Sequence, residues 1–269
     1  MTDSVQIDEL VSAVQKGTRY HSINPQLIRR IGAQELAKGH SWKEAVKATR
    51  NKLHQVGGAY QEQEPGYAVW RSELDKIDAT KEPDKLKSFC RSVMQFHSST
   101  RERLPILERF YAETLASLGP LQSILDIACG YNPLALPWLP LARDGIYYGC
   151  DIYADMVEFL NYFLVKIEHK GSVKVQDLIS FCPTQVVQLA LMLKTIPCLE
   201  QIEKSAGQAL LDGIQAEHML VSFPARSLGG HTKGMVQNYE AHFKELIAGH
   251  PWRVQRFEFS SELVFLVSK

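Results

Sequence analysis

The 269-residue chain has few cysteines, no long apolar run and no net charge. Its five cysteines are an odd number and no two are spaced C-x2-C, so neither a disulfide framework nor a zinc ribbon is indicated. No run of 18 or more apolar residues occurs, and the polar amino end does not resemble a secretion signal, so we expect a cytoplasmic protein. The 30 Lys and Arg balance the 30 Asp and Glu, which argues against non-specific coating of nucleic acid.

Enough apolar material is present for a large soluble core, with 45% hydrophobic and 22% charged residues. The length exceeds that of one ordinary domain. Up to about residue 120 the apolar residues recur with helical spacing, whereas apolar runs alternate with helical patterns after it. Gly119-Pro120 separates the two regions. We therefore predict a helical amino-terminal domain over residues 1–119 and an α/β domain over residues 120–269.

The charge is unevenly distributed, because residues 16–52 contain nine Lys or Arg against two acids, a net charge of +7. A helix in this basic window is predicted to begin at Ser41, because Ser41 and Glu44 have capping-box spacing. Its apolar face would comprise Trp42, Ala45, Val46, Thr49, Leu53 and Val56, and Gly57-Gly58 would end it. The cations lie away from that face. They fit a solvated helix surface or, as the excess charge favours, a surface for an anionic partner.

A second helical stretch spans residues 84–118, and a break is predicted in the segment that follows His97. Ser99 and Glu102 repeat the capping-box spacing, but Pro105 would then lie inside the helix. A helix start at Pro105 is the alternative. In both cases backbone amides near the break are free to face a ligand.

Seven apolar runs after residue 120 have the composition of strands. They lie near residues 123–128, 146–151, 173–176, 186–193, 218–223, 253–259 and 262–268. Helices are predicted between most of them, at 155–169, 199–214 and 235–248. Too few residues join the last two strands for a crossover, so these strands must pair as an antiparallel hairpin. The sequence predicts a doubly wound, largely parallel sheet that closes with this hairpin.

Acids stand at the ends of the first three predicted strands, at Asp126, Asp151 and Asp177. Ligands of open α/β sheets collect at that edge. Asp151 lies 21 residues beyond Gly130 and can accept hydrogen bonds from both ribose hydroxyls of an adenosine-containing cofactor. The turn at 126–133 has one glycine and an Asn-Pro pair, so it offers little to a pyrophosphate. It fits S-adenosylmethionine better than a dinucleotide, and an ordinary strand-loop-helix corner is the alternative.

Five motifs follow one another along the chain. They are KLHQVGGAY (52–60), HSSTRER (97–103), LDIACGYNPLAL (125–136), LKTIP (193–197) and SFPARSLGG (222–230), the last followed by KGM (233–235) and NY (238–239). Together they resemble the aminoglycoside-resistance 16S rRNA methyltransferases of the Arm/Rmt type, in the branch that methylates N7 of a decoding-site guanine. The resemblance implies a class I methyltransferase (Rossmann-like) sheet with a terminal antiparallel hairpin, plus an amino-terminal helical domain.

The resemblance also implies which residues bind S-adenosylmethionine. The expected set is His97, Ser98, Ser99, Thr100 and Arg103 in a segment that covers the cofactor, and Ala128, Gly130, Asp151, Asp177, Leu178, Leu193 and Gln201 in the pocket below it. Arg103 would pair with the cofactor carboxylate, and Ala128 would contact the methionine part. Asp151 would hold the ribose, and Asp177 the adenine.

The same resemblance implies that Lys194 and Arg226 hold the target base or its phosphate. No general base is expected, because guanine N7 carries a lone pair and no proton, so positioning supplies most of the catalysis. The predicted RNA contacts are Lys16, Arg19, Arg29, Arg30, Lys47, Arg50, Lys52 and His54 in the basic amino-terminal part, with Ser227 and Lys233 further along. We expect a monomer that methylates 16S rRNA in the small ribosomal subunit and confers aminoglycoside resistance, with no membrane partner.

Two other interpretations remain open from the sequence. A small-molecule methyltransferase would have the same sheet but no use for the basic window. An RNA-binding assembly factor that kept the fold and lost the cofactor would have no use for Arg103, Asp151 and Asp177. His54 and His97 are isolated and have no suitably spaced partners, so a metal site is not indicated.

Overall fold

The computed structural model describes residues 4–61, 64–225 and 234–269. The part before the sheet is helical throughout. Its helices are α1 (Ser4–Gln15), α2 (Pro25–Ala37), α3 (Trp42–Leu53), α4 (Tyr67–Leu74), α5 (Pro83–Met94), α6 (Ser98–Arg103) and α7 (Leu107–Thr114), with a π-helical turn at His54–Gly58 and a 3-10 turn at Leu104–Ile106. No helix within these described ranges is long and apolar enough to cross a membrane.

The capping box at the start of α3 is confirmed, because a carboxylate oxygen of Glu44 accepts a hydrogen bond from the Ser41 backbone amide at 2.9 Å. The expectation that Trp42 is buried is wrong, since this side chain is 37% exposed. Trp42 is the first residue of the helix, and its side chain lines a groove against α1 beside Lys16. The apolar face therefore begins only at Ala45.

The second helical stretch is interrupted at residues 95–97 and again by the 3-10 turn at Leu104–Ile106, so the break predicted near His97 to Leu104 is confirmed. His97 is the extended residue that precedes α6, with φ −124° and ψ 122°, so neither Ser99 nor Pro105 begins a helix. Pro105 lies in the 3-10 turn that joins α6 to α7. This position is compatible with proline because the turn does not require the missing amide hydrogen of an α-helix interior.

The sheet has the seven predicted strands in the order β3-β2-β1-β4-β5-β7-β6. They are β1 (Leu121–Ile127), β2 (Leu141–Asp151), β3 (Gly171–Val175), β4 (Val187–Leu193), β5 (Ala216–Pro224), β6 (Arg253–Glu258) and β7 (Glu262–Ser268). The strands are parallel except for β7, which pairs antiparallel with both β5 and β6. The predicted terminal hairpin and the fold class are therefore confirmed.

The helices of the sheet region are α8 (Ala154–Lys166), α9 (Thr195–Glu200), α10 (Ala206–Gly213) and α11 (Met235–Leu246). One predicted helix, at 199–214, is two helices in the structure. The segment at residues 201–205 separates them, and Ser205 precedes the first residue of α10.

Apolar side chains form two clusters, because neighbouring strand residues point to opposite faces of the sheet. Ile124 belongs to the first cluster and Leu125 to the second. The first cluster also contains residues of α1, α2, α5 and α7, so the helical segment packs directly on the sheet. Two backbone hydrogen bonds reinforce this packing, from Asn24 to the Ile152 carbonyl at 2.8 Å and from Ala154 to the Ser22 carbonyl at 2.7 Å. A domain boundary at residues 119/120 stays a prediction.

Candidate cofactor site

A cavity opens where β1, β2 and β4 end and the helical segment packs over them. The residues at the strand ends, which we call the sheet wall, include Ala128, Asp151 and Leu193. The residues from the helical segment, which we call the helical wall, include Leu27, Val56, Gly57, Tyr60 and His97. The position of the cavity at the carboxyl ends of the strands suits a small-molecule cofactor.

Asp151 is the buried acid of the sheet wall and the last residue of β2. One carboxylate oxygen accepts a hydrogen bond from the Gly130 amide at 2.9 Å, and the other accepts one from the Ile152 amide at 2.6 Å. Burial raises the pKa of Asp151, although these amides act in the opposite direction. Each oxygen retains a further lone pair, so the carboxylate can also accept hydrogen bonds from two vicinal hydroxyls.

The turn after β1 contains two residues in the left-handed region, Ala128 at φ 52° and Gly130 at φ 50°. A Cβ at position 130 would lie 2.9 Å from Cε1 of His97, so glycine is required there both for its conformation and for the close approach. Gly130 lies behind the lining residues and positions Asp151 through its amide. Ala128 adopts the same strained conformation with a Cβ, and it lines the cavity.

Asp126, the first of the three strand-end acids, does not face the cavity. Its carboxylate lies inside the sheet region, where it accepts hydrogen bonds from the Tyr147 hydroxyl and, at 2.7 Å, from the Asn132 amide. Burial raises the pKa of Asp126 to about 7. The interpretation of three acids in one row is therefore wrong for Asp126, because this residue precedes the end of its strand.

The third acid, Asp177, does line the cavity, together with its neighbours Gln176, Leu178 and Ile179. Its carboxylate accepts hydrogen bonds from the Ile179 amide at 3.0 Å and the Ser180 hydroxyl at 2.6 Å. Leu178 and Leu193 line the cavity as predicted and give it apolar surface. This combination of an acceptor and apolar side chains suits a purine ring that carries an amino group.

Gln201 was expected in the same pocket, but the structure places it elsewhere. It is exposed just after the end of α9 and is not among the residues that line the cavity. Leu199 and Ile202 lie at the cavity instead. The end of α9 at Glu200 turns the Gln201 side chain outwards, a boundary that the apolar pattern did not reveal.

The covering segment contributes to the cavity through His97 and Ser99. Ser98 and Thr100 instead fix the segment, through a hydrogen bond from the Ser98 amide to the Tyr60 carbonyl at 2.9 Å and one from the Thr100 hydroxyl to the Met94 carbonyl at 2.6 Å. The His97 ring stacks on Tyr60 with ring centroids 5.7 Å apart. Burial lowers the pKa of His97 to about 3, so the ring is neutral at physiological pH.

Arg103 and Lys194 belong to a buried ion cluster beside the cavity. Nε of Arg103 lies 2.8 Å from a carboxylate oxygen of Glu262, and Nζ of Lys194 lies 2.5 Å from Glu102 and 3.8 Å from Glu262. Lys194 lines the cavity and is only 4% exposed, so it does not present its ammonium group to a partner at the surface. Arg103 is fully buried behind the lining residues, where it also contacts Asn132 at 3.1 Å.

Glu262 was not predicted from the sequence. It begins β7, is fully buried, and also accepts a hydrogen bond from the Ser222 hydroxyl at 2.7 Å. Burial alone would raise the pKa of Glu262, but the charges of Arg103 and Lys194 outweigh it and lower that pKa. The available signal was a carboxylate that opens an otherwise apolar strand, since such a residue needs a buried partner.

The cations expected to contact RNA fall into two groups. The exposed ones form no ion pair in the described ranges and are Lys16, Arg19, Lys47 and His54. The others are engaged within the protein: Arg29 with Asp8, Arg30 with Asp177, Lys52 with Glu35, and Arg50 with the Ala13 carbonyl. Arg226, Ser227 and Lys233 lie outside the described residues. The basic window is thus only in part a free cationic surface.

The residues at the cavity fit an adenosyl ligand. A buried carboxylate with free acceptor positions, a left-handed turn that shapes the cavity floor and an acid beside apolar side chains meet there. Among the described residues no group of three His, Cys, Asp or Glu could hold a metal ion, and the five cysteines are free thiols.

Comparison with known proteins gives a consistent result. A family model described as ribosomal RNA methyltransferase (FmrO) matches residues 16–266. Two relatives are named 16S rRNA (guanine(1405)-N(7))-methyltransferase. The one from Micromonospora rosea is 33% identical over 270 residues and covers 100% of this chain and 98% of its own. The one from Frankia casuarinae is 35% identical over 266 residues, covering 98% and 94%.

Two solved structures share the whole architecture. The 16S rRNA methyltransferase RmtF in complex with S-adenosyl-L-homocysteine has a TM-score of 0.84 and 28% identity, covering 100% of both chains. The 16S rRNA methylase RmtB has a TM-score of 0.80 and 27% identity, covering 98% of both chains. The family predicted from the five motifs is confirmed, and the RmtF complex with S-adenosyl-L-homocysteine supports the predicted S-adenosylmethionine cofactor. The chain therefore belongs to the ribosomal RNA methyltransferase (FmrO) family.

Proposed function

We propose that the protein transfers a methyl group from S-adenosylmethionine to N7 of a decoding-site guanine in 16S rRNA of the small ribosomal subunit. The observation that carries this proposal is the cavity in which Asp151 and the Ala128–Gly130 turn meet the helical wall. The names of the full-length relatives support the choice of guanine N7. An enzyme with this substrate acts in the cytoplasm, and we propose that it acts as a monomer.

When bound, S-adenosylmethionine supplies an electrophilic methyl group on a sulfonium. The protein then has to align the guanine N7 lone pair with that group and exclude water, since no proton must be removed. Asp151 fixes the ribose, and the neutral ring of His97 with Tyr60 closes the helical wall. Positioning of this kind can supply roughly 7–11 kcal/mol of the barrier. The pairing of Arg103 with the cofactor carboxylate stays a prediction, because Arg103 is buried behind the lining residues and its guanidinium is already paired with Glu262.

Binding of folded RNA is proposed to use the exposed cations Lys16, Arg19 and Lys47 of the helical segment, together with the exposed side chain of His54. Cations of this kind release counterions from RNA, so binding should weaken as the salt concentration rises. Methylation puts a positive charge on the guanine. At about 4 Å and an effective dielectric constant near 20, that charge repels a polycationic aminoglycoside by about 4 kcal/mol, close to three decades of affinity.

The test supplies labelled S-adenosylmethionine together with intact small subunits, naked 16S rRNA or free nucleosides, and maps N7-methylguanine by chemical strand scission. We expect label at one guanine in the intact subunit. The amount of label should decrease as the salt concentration rises. Label on a free nucleoside or another metabolite would favour a small-molecule methyltransferase. Subunit binding without transfer of label, and without binding of S-adenosylhomocysteine in calorimetry, would favour an assembly factor.

A further inference from the structure

Arg30 does not point to solvent with the other cations of the basic window. It lies on α2, one turn after Leu27, which lines the cavity. Its Nε is 3.3 Å from a carboxylate oxygen of Asp177, and its Nη2 contacts the Ser180 hydroxyl. The side chain therefore joins the helical segment to the cavity at the position expected for the adenine.

The loop at residues 176–180 lies beyond the paired strands, since β3 ends at Val175 and the next strand begins at Val187. The Gln176 amide joins the start of the loop to the sheet by donating to the carbonyl of Asp151, the last residue of β2, at 2.9 Å. Within the loop, the Ser180 hydroxyl donates to Asp177 at 2.6 Å. Arg30 adds a cross-link from a different element, 147 residues away in sequence. The guanidinium fork engages both Asp177 and Ser180, which a point charge would not do.

The two side chains differ in exposure in a way that indicates their roles. Asp177 is 2% exposed, whereas the side chain of Arg30 is 34% exposed. A carboxylate so deeply buried requires a partner, because an unpaired charge in the protein interior is strongly unfavourable. Arg30 supplies the charged partner from the edge of the cavity and, together with the Ile179 amide and the Ser180 hydroxyl, fixes where the acceptor oxygens of Asp177 point.

We propose that Arg30 is a positioning residue for the cofactor and not an RNA contact: by holding Asp177 it sets the selectivity of the cavity for the adenine amino group. This inference rests on the cofactor site of the proposed function. The adenine amino group donates a hydrogen bond to a carboxylate. Hypoxanthine has a carbonyl oxygen at the same position, which cannot donate. A site with a fixed acceptor discriminates strongly between such ligands, and a site with a mobile acceptor does so weakly.

The test measures the affinity of the full chain for S-adenosylhomocysteine and for S-inosylhomocysteine by calorimetry, without RNA. We expect wild type to prefer the adenosyl compound clearly. Arg30→Ala should weaken adenosyl binding about tenfold, the scale of one charged hydrogen bond, and narrow the preference between the two compounds. Arg30→Lys should recover part of the preference, because it retains the charge but cannot reach both Asp177 and Ser180.

Arg71→Ala is the matched control. Arg71 is 33% exposed and joins α4 of the helical segment to Glu158 of α8 at 2.8 Å, away from the cavity. It should leave both affinities unchanged.

Three results would overturn the proposal. The first is an unchanged preference in Arg30→Ala with weaker binding to the small subunit, which assigns Arg30 to RNA. The second is an equal loss of affinity for both compounds in Arg30→Ala, which assigns Arg30 a structural role only. The third applies if Arg30→Ala does not fold: Arg30→Lys then prefers the adenosyl over the inosyl compound as strongly as wild type does. A wild-type protein that prefers the adenosyl compound but methylates no rRNA contradicts the proposed function alone.

Discussion

The two walls of the cavity are built from different kinds of residue. The sheet wall presents a carboxylate and a left-handed turn, Asp151 and Ala128, fixed by paired strands. The helical wall presents Leu27, Val56 and the stacked Tyr60 and His97, which are apolar, aromatic or neutral. The sheet wall is thus suited to directional hydrogen bonds, and the helical wall to closing the cavity against water. We expect substitutions in the two walls to separate cofactor affinity from other properties.

The largest effect is expected on the sheet wall, where Asp151→Ala should lower the affinity for S-adenosylhomocysteine at least about 100-fold. It removes two charge-assisted hydrogen bonds to the ribose, each worth about 1.5–3 kcal/mol. Calorimetry measures the loss. Asp155→Ala is the control, because Asp155 is a nearby acid in the first turn of α8 that does not line the cavity. Equal affinities for wild type and Asp151→Ala would show that binding strength does not come from the sheet wall.

A second substitution tests where the two walls touch. Gly130→Ala should destabilise the fold by about 2 kcal/mol, because the backbone is left-handed and the new Cβ would lie 2.9 Å from Cε1 of His97. The melting temperature should fall by about 4–8 °C in thermal unfolding. Gly119→Ala is the control, since no atom lies within 4 Å of a Cβ there. Equal melting temperatures for the two variants would mean that the walls are not in tight contact.

The pH dependence of binding sharpens the same contrast. Ribose binding requires the ionised carboxylate of Asp151, whose pKa is raised by burial. Affinity should therefore be constant at high pH and fall, by up to about tenfold per pH unit, once the pH drops below that raised pKa. His97 adds no slope above pH 5, because burial lowers its pKa to about 3. Titration of Asp151→Asn should show no such fall, and a persisting slope in that variant would place the titrating group elsewhere.

The sequence predicted the sheet wall better than the helical wall. Seven strands, the terminal hairpin and the strand-end positions of Asp151 and Leu193 follow from local apolar runs and their spacing. Ala128 was identified through the family resemblance, and its left-handed φ is a feature that the sequence did not predict. The roles of Asp151, Leu193 and Ala128 toward the cofactor stay predictions.

Most features that the sequence did not predict depend on pairs of residues that lie far apart in the chain. Arg30 looked like a surface cation because its partner, Asp177, lies 147 residues away. Glu262 escaped notice because the cations that justify its burial, Arg103 and Lys194, come from other elements. Gln201 was assigned to the pocket through the family resemblance, but it is exposed just after the end of α9. Local periodicity carries no information on which distant charges form pairs. A basic window in the sequence therefore indicates a cationic surface, but it does not show which of its cations are exposed and which are paired within the protein.

The smallest effect is expected at the outer surface of the helical segment. Lys47 is exposed and forms no ion pair in the described part of the chain, so Lys47→Glu should leave cofactor affinity and melting temperature unchanged. Affinity for the small subunit should fall about fivefold, and the slope of log affinity against log salt should decrease by about 1, as expected for one phosphate contact. Binding assays over a salt series measure both quantities.

Arg50→Glu provides the contrast, because a guanidinium nitrogen of Arg50 donates to the Ala13 carbonyl at 2.6 Å and joins α3 to α1. This variant should lower the melting temperature as well as RNA affinity, although the linear sequence gives both cations the same role. If Lys47→Glu changed cofactor affinity without RNA present, the helical segment would influence the sheet wall directly. The separation of the two walls into a binding side and a covering side would then fail.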